Sequence, residues 1–338
     1  YSSRHGSILP RMASNCVSHK IMNKGLFIVN KFGGSIMGAR DSISRAINVV
    51  KSHLQRRLKP IVVVSAFKGI TDKLILLANT RKTEILDDIE LLHRRKLGEL
   101  DCADGSVLAL LDELLTELRL ALKAHDTSSG TSAHDLILSY GEKMAAVIFS
   151  ACLGHRGIDS ESITGEKLGV ITDEQWGDAN VLFADSVRSI AETIAKTDRR
   201  EEGYIVPVIT GFVGKTKKGI TTTLGRGGSD TSATLVGAAL HAKRVILWKD
   251  VAGVLSADPR IVPSATTVRR MNYDEAEESG KVIHDKSMYI IRHAGITVEV
   301  VNIFNPEERT IVTKQGSGVR GAKMVSAKDN LILLIVYG

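Results

Sequence analysis

The sequence predicts an α/β fold: a three-layer αβα sandwich around a mostly parallel sheet, in two lobes with a boundary near residues 200–205. Three observations predict it. Short Val- and Ile-rich runs alternate with longer segments of helical spacing along the whole chain, as in a parallel sheet covered on both faces. Hydrophobic residues make up 43% of the 338 and aromatics only 4%, so Ile, Leu, Val and Ala must fill the core. Turns rich in Gly, Ser and Thr follow the apolar runs, at the strand exits where such sheets bind ligands.

The elements follow in order. Leu26 to Lys31 is a short apolar run that ends in Gly33-Gly34-Ser35, a buried strand entering a tight loop. Asp41 to Gln55 has helical spacing, with Ile43, Ile47 and Val50 on one face. Pro60 to Ser65 is a second buried strand, followed by a loop from Ala66 to Thr71. From Lys73 to Ala124 the pattern is helical, and Leu108, Leu111, Leu115, Leu118 and Leu122 form a core stripe too short for a coiled coil. A polar break at 127–132 precedes a helix from Asp135 to Leu153. Short strands near 160–164 and 169–171, a helix from Asn180 to Ala195 and a strand at 205–210 come next. Gly211 to Thr223 reads as a hairpin with Lys215, Lys217, Lys218 and Gly219 at its tip. An Ala-rich helix (Ser232 to His241), a strand (Val245 to Trp248), helices near 273–280 and 285–293, and strands at 296–301 and 310–313 complete the fold. Residues 330–337 read as one further strand.

Composition narrows the function. The net charge is +7, and Arg4, Arg11, Lys20 and Lys24 supply four of the seven before any acidic residue occurs. The remainder is nearly balanced, with no basic stripe interleaved with aromatics, which argues against nucleic acid as a partner. Cys16, Cys102 and Cys152 are isolated, so neither a zinc site nor a disulfide framework is indicated; a reducing, cytoplasmic setting fits. No uninterrupted apolar run reaches the ~18 residues expected of a membrane span. Residues 1–24 lack periodicity and read as a leader or tag.

The familiar phosphate-binding motifs fail. Gly214-Lys215-Thr216 mimics the end of a P-loop, but the motif needs a glycine at position 209, which is Ile. Gly225-x-Gly227 lacks the third glycine of a dinucleotide fingerprint, since position 230 is Asp. No catalytic loop of the protein-kinase type is present. What remains is a set of glycine loops at strand ends. Gly33, Gly34 and Ser35 offer bare backbone N–H groups to a polyphosphate, with Lys31 as compensating charge. Arg226-Gly227-Gly228-Ser229-Asp230 stands at a helix start, where Arg226 can grip a carboxylate and Asp230 an ammonium. The competing reading, in which Ser229 and Asp230 only cap the helix, leaves the Arg and two glycines unexplained. Trp248 to Arg260, a strand exit with Asp-Val-x-Gly-Val and Asp-Pro-Arg, suits an adenine-ribose pocket in the second lobe.

Together, Lys31-Phe-Gly-Gly-Ser35, Ser65-x-x-x-Gly-Ile-Thr71, Ser139-Tyr-Gly-Glu142, Thr221 to Asp230 and Trp248 to Arg260 resemble the aspartokinases of the amino-acid-kinase family, in order from Leu26 to Thr313. The resemblance implies that Lys31 steadies the transferring phosphoryl group. It implies that Ser65, Thr71, Glu142 and Arg226 to Ser229 contact the amino acid, with Glu142 toward its amino group, and that Asp230 orients the site. It places ATP at Lys31, Gly33, Gly34, Ser35, Lys249, Asp250, Leu255, Arg260, Lys281 and Val282, with Lys281 as a second phosphate-binding lysine. The sequence departs from the family at Gly280 to Asp285, where Asp replaces the usual Pro after His284. The domains implied are 25–203 for the amino acid, 204–320 for ATP, and 321–338 as the start of a regulatory region.

The implied reaction is attack of the aspartate side-chain carboxylate on the γ-phosphorus of ATP carried with Mg²⁺, giving 4-phospho-L-aspartate for lysine, threonine and methionine synthesis. A carboxylate is already ionised near neutral pH, so the reaction needs no general base. A homodimer is the family expectation. The alternatives are a carboxylate kinase of the same fold acting on glutamate or N-acetylglutamate, and a non-catalytic amino-acid sensor. Retention of Lys31 and Asp230 argues against the sensor.

Overall fold

The computed structural model describes residues 26–124, 131–197, 203–279, 283–318 and 323–325. The first two strands, β1 (Phe27–Phe32) and β2 (Lys59–Val64), are parallel neighbours joined by α1 (Arg40–Gln55). Both are apolar throughout because both of their faces are covered. Strand alternation sorts their side chains: Ile28, Phe32, Val62 and Val64 enter one core, and Phe27, Val29, Ile61 and Val63 the other.

The segment expected to be helical up to Ala124 is three helices, α2 (Ile70–Thr80), α3 (Thr83–Glu99) and α4 (Gly105–Ala124). The chain breaks at Arg81 and Asp101, which both adopt positive φ. Leu111, Leu115 and Leu118 of α4 are fully buried, so the leucine stripe is core. The long helix α5 (Ser132–Gly154) packs against α2, α4 and the sheet. By length and composition it could cross a membrane, a property the search for an uninterrupted run misses. However, 72% of that apolar window is buried inside the protein, as in the core helix of a globular fold.

After α5 come β3 (Ser160–Ile163), the single turn α6 (Gly165–Leu168), β4 (Ile171–Thr172), α7 (Phe183–Thr197) and β5 (Val206–Thr210). The expected hairpin forms from β6 (Val213–Thr216) and β7 (Thr221–Thr223), and β4 extends it to a three-stranded sheet. Helix α8 (Gly228–Ala239) starts four residues earlier than the sequence suggested. Gly227 takes the left-handed conformation at its entry, so Gly228, Ser229 and Asp230 already lie in the first turn.

The remaining elements are β8 (Arg244–Lys249), β9 (Arg270–Met271), α9 (Tyr273–Glu278), α10 (Asp285–Ala294), β10 (Val298–Asn302) and β11 (Arg309–Val312). The two-residue β9 carries no periodic signal and was not legible. The main sheet has eight strands in the order β3-β5-β2-β1-β8-β10-β11-β9. All its pairs are parallel except β10–β11. Because β5 inserts between β2 and β3, and β8 lies beside β1, the two lobes share one sheet. The strand expected at 330–337 and the leader at 1–24 lie outside the described residues.

Candidate active site

Strands β1, β2 and β5 end at the same side of the sheet, and the loops beyond them enclose a cavity of about 420 Å³. Gly34 and Ser35 line it from the loop after β1, Ser65 to Gly69 with Thr71 and Asp72 from the loop after β2 and the start of α2, Glu142 from α5, and Gly225 with Gly227 to Asp230 from the start of α8. Lys31 reaches it from within β1. This is the position at which parallel α/β sheets bind ligands.

Alternation along β1 puts Lys31 on the same face as Phe27 and Val29, toward α8. There its Nζ lies 2.6 Å from Oδ1 of Asp230, with both side chains only 8% exposed. Lys249, at the end of β8 on that same face, approaches Oδ2 of Asp230 to 3.5 Å. Burial works to raise the Asp230 carboxyl, but the two ammonium groups more than offset it and hold the carboxyl below its usual range. For Lys31 the balance is opposite. Burial lowers its pKa, Asp230 pulls it up, and Lys249 pushes it down again, leaving a net lowering. Two cations on one anion leave an excess positive charge at the cavity wall, which an incoming phosphate can neutralise. The carboxylate of Asp230 is therefore tied to lysines, and α8 is entered through Gly227 without a side-chain cap. The helix-capping reading of Ser229 and Asp230 is overturned.

Glu142 is a further buried ionisable group. Gly141 packs against Ala66 and Leu74, where even a Cβ would come within 3.0 Å of the Ala66 Cβ. That close approach lets the Ala66 amide donate to Oε1 of Glu142 at 3.1 Å. Oε2 is buried with no hydrogen-bond partner, on a side chain that lines the cavity. Burial drives the Glu142 carboxyl up to about 8, only partly relieved by the Ala66 amide and the charge of Lys31. Once ionised, the Glu142 side chain lining the cavity is a suitable acceptor for an ammonium group.

The glycines allow close approach. A Cβ on Gly33 would sit 3.0 Å from the Lys31 ammonium, and one on Gly227 only 2.4 Å from the Cβ of His284. The Ser65 hydroxyl donates to the Ser229 hydroxyl at 2.9 Å, closing the floor between β2 and α8. Arg226 is exposed and does not line the cavity, although its neighbours Gly225 and Gly227 do.

The residues assigned to the nucleotide are less concentrated. A second, largely apolar cavity of about 320 Å³ is lined by Val251, Val254, Leu255, Pro259, Arg260 and the later Met324 and Val325. Arg260 is exposed and pairs with Asp258 at 2.6 Å, and Asp250 is exposed. Lys281 and Val282 lie outside the described residues. Among the described residues no group of three or more His, Cys, Asp or Glu could hold a metal ion.

Sequence reasoning missed residues that line the cavity, Phe212 and Lys68, and one buried carboxylate behind it. Asp135 is wholly buried on α5, and its carboxylate accepts from the amides of Gly177 (2.9 Å) and Thr223 (2.7 Å). Its place seven residues before Glu142, on the same helix face, was the available signal. Nothing in the local sequence of Phe212 or Lys68 marks them.

The chain is 33% identical over 310 residues to aspartokinase 1, chloroplastic, of Arabidopsis thaliana, an alignment covering 87% of this chain and 53% of that protein. It is 29% identical over 316 residues to an aspartokinase of Rickettsia felis, covering 91% of this chain and 66% of the relative. Among solved structures it is similar to E. coli aspartokinase III in complex with aspartate and ADP (R-state), with a TM-score of 0.74 and 29% identity over 85% of this chain and 64% of that one. The chain thus spans about half the length of its Arabidopsis relative. The family model for the amino acid kinase family matches residues 27–302, from the first strand to the end of β10, and the chain belongs to that family.

Proposed function

We propose that this chain is the catalytic region of an aspartate kinase, which transfers the γ-phosphoryl group of MgATP to the side-chain carboxylate of L-aspartate. The observation that carries this reading is the cavity that joins the Lys31–Asp230 pair to the unpartnered oxygen of Glu142. One wall is suited to a transferring phosphoryl group and the other to the ammonium of a free α-amino acid. An N-acetylated amino acid has no such ammonium and would leave Glu142 buried and unpartnered.

The chemistry follows from placement and charge. The substrate carboxylate is already ionised and attacks phosphorus directly, with ADP as the leaving group. Lys31 and Lys249 neutralise charge on the phosphoryl oxygens, while Asp230 holds both ammonium groups in position. Glu142 accepts the α-ammonium, and Arg226, beside the cavity glycines, takes the α-carboxylate as the amino acid enters. Gly33, Gly34, Gly227 and Gly228 keep side chains out of the path of the phosphates. Mg²⁺ arrives as part of the nucleotide substrate, held by phosphate oxygens and water. The apolar cavity at Leu255 is assigned to the adenine. In this reading residues 25–203 supply most amino-acid contacts and residues 204–320 hold the nucleotide. A homodimer is the assembly proposed, from the family likeness.

The test is ATP-dependent hydroxamate formation with Mg²⁺ present, comparing aspartate with glutamate and N-acetylglutamate. Hydroxylamine traps acyl phosphates, so product with aspartate alone supports both reaction and substrate. Product only with another acid reassigns the substrate, and ATP binding without product from any acid favours the sensor reading.

A further inference from the structure

The turn that carries Gly227, Gly228 and Ser229 to the cavity has little shape of its own. Gly225 and Gly227 both adopt φ of +70°, and glycine backbones have no strong preference among conformations. One internal bond, from the Gly228 amide to the Gly225 carbonyl at 3.0 Å, closes the turn, and the rest of its path is set by what surrounds it. On one side Asp135 of α5 fixes the amide of Thr223. On the other side, α10 does the work through its first turn.

Lys286 reaches from that first turn across to two separate loops. Its Nζ donates to the carbonyl of Asp178 at 2.8 Å, of Ala179 at 3.1 Å and of Leu224 at 3.2 Å. It also pairs with Oδ1 of Asp178 at 2.6 Å. An ammonium has three protons to donate, so these four acceptors saturate it. An ordinary exposed lysine–aspartate pair contributes little. This lysine differs because three of its partners are backbone carbonyls and its side chain is only 21% exposed. The fit is close: a Cβ on Gly225 would stand 2.0 Å from the Asp178 carboxylate oxygen. At the same helix start, His284 packs beneath Gly227.

We propose that Lys286 is a positioning residue for amino-acid binding: it locks residues 224–228 against the 178–179 loop and so aims Arg226 and the amide of Gly227, without touching the substrate itself. The proposal rests on the reading of that turn as the seat of the amino acid. Lys286 sits two residues beyond His284, in the first turn of α10.

The experiment compares the whole chain with K286M and K286R, by hydroxamate kinetics and by hydrogen exchange of the 224–228 amides. K286M is expected to raise the aspartate KM about 10-fold while kcat changes less than about 3-fold. Exchange at 224–228 should rise, and K286R should restore most of both. If K286M fails to fold, D178N takes its place: it removes the ion pair, keeps the carbonyl acceptors, and should move KM and exchange in the same direction by less. A folded K286M with wild-type KM and unchanged exchange overturns the proposal, as does one that loses only thermal stability. If the wild-type chain makes no acyl phosphate from aspartate, the kinase reading fails separately, and exchange at 224–228 alone decides whether Lys286 orders the turn.

Discussion

Lys31 and Asp230, brought from the first strand and the start of α8, meet at 2.6 Å in a setting where neither side chain is more than 8% exposed. The two residues have unequal duties. In the proposed reaction Lys31 meets the phosphoryl group, so Lys31→Ala should lower kcat by on the order of 10²-fold or more. Asp230 retains Lys249 as a partner in that variant, so the protein should remain folded. A folded variant with near-normal kcat would remove Lys31 from the mechanism.

Asp230→Ala should do something different. It leaves two ammonium groups near one another without an anion, one of them buried, and breaking such a pair from one side costs about 3–5 kcal/mol. Urea denaturation should show a lower midpoint with little change in m-value. A midpoint equal to wild type would mean that solvent reaches the lysines more freely than their burial suggests.

Glu142 gives the site a pH signature. Its carboxyl, raised to about 8 by burial, is mostly protonated at neutral pH in the empty protein, whereas ammonium binding requires the carboxylate. Aspartate affinity should therefore improve as pH rises through the interval from about 6 to 8, and Glu142→Gln should flatten that dependence. The sign for stability is the reverse. Between the unfolded value of 4.5 and the folded value of about 8 the native state holds the extra proton, so this group makes the fold less stable as pH rises across that window. KM profiles and denaturation curves across the same pH range measure the two effects independently.

Acid should unfold the protein partly through two histidines remote from the cavity. His93 is fully buried, with Nδ1 on the Ile89 carbonyl at 2.7 Å, and burial lowers its pKa to about 4. His53 is lowered to about 4 as well, by burial and then by Arg244 and Arg56. Both are neutral in the fold and charge more readily when unfolded. Stability should be complete above about pH 6.5 and fall toward pH 4, by roughly 2–3 kcal/mol for each histidine. His93→Leu should remove its share of the slope; an unchanged slope would assign it to other groups.

Gly227→Ala tests the entry to α8. A side chain at φ +70° is strained, and its Cβ would stand 2.4 Å from that of His284. A loss of about 1–2 kcal/mol from the left-handed backbone alone is expected, before the clash is counted. Activity should fall further than stability, because Gly228, Ser229 and Asp230 all move with the turn. Equal activity and stability in the variant would show that the turn relaxes without disturbing the cavity.

The strands and most helices were legible because parallel strands covered on both faces are apolar throughout, and because the leucines of α4 recur on one face. The partnership of Lys31 with Asp230 was not legible. It depends on β8 lying beside β1 and on α8 covering that face, both matters of topology with no local trace. The start of α8 was placed too late because Gly227 and Gly228 look like loop, whereas a left-handed glycine begins the helix at once. Glu142 was marked by a motif, yet its free oxygen follows from the Ala66 amide, which only the folded chain brings near. Arg226 stands apart from the cavity in the fold, exposed between Gly225 and Gly227, and its short motif carried no sign of that.

The order of strands has a consequence for how the protein is made. In the central sheet β1 and β2 form a ribbon whose outer neighbours, β8 and β5, both lie beyond residue 203. Until the ribosome has delivered β5 and β8, both edges of that ribbon lack their final partners, and exposed edges invite pairing with other chains. The nascent chain is therefore expected to be open to such pairing until residues 206–249 have emerged. Co-expressing the protein as two fragments divided near residue 200 should succeed only if the second fragment arrives quickly enough to close those edges.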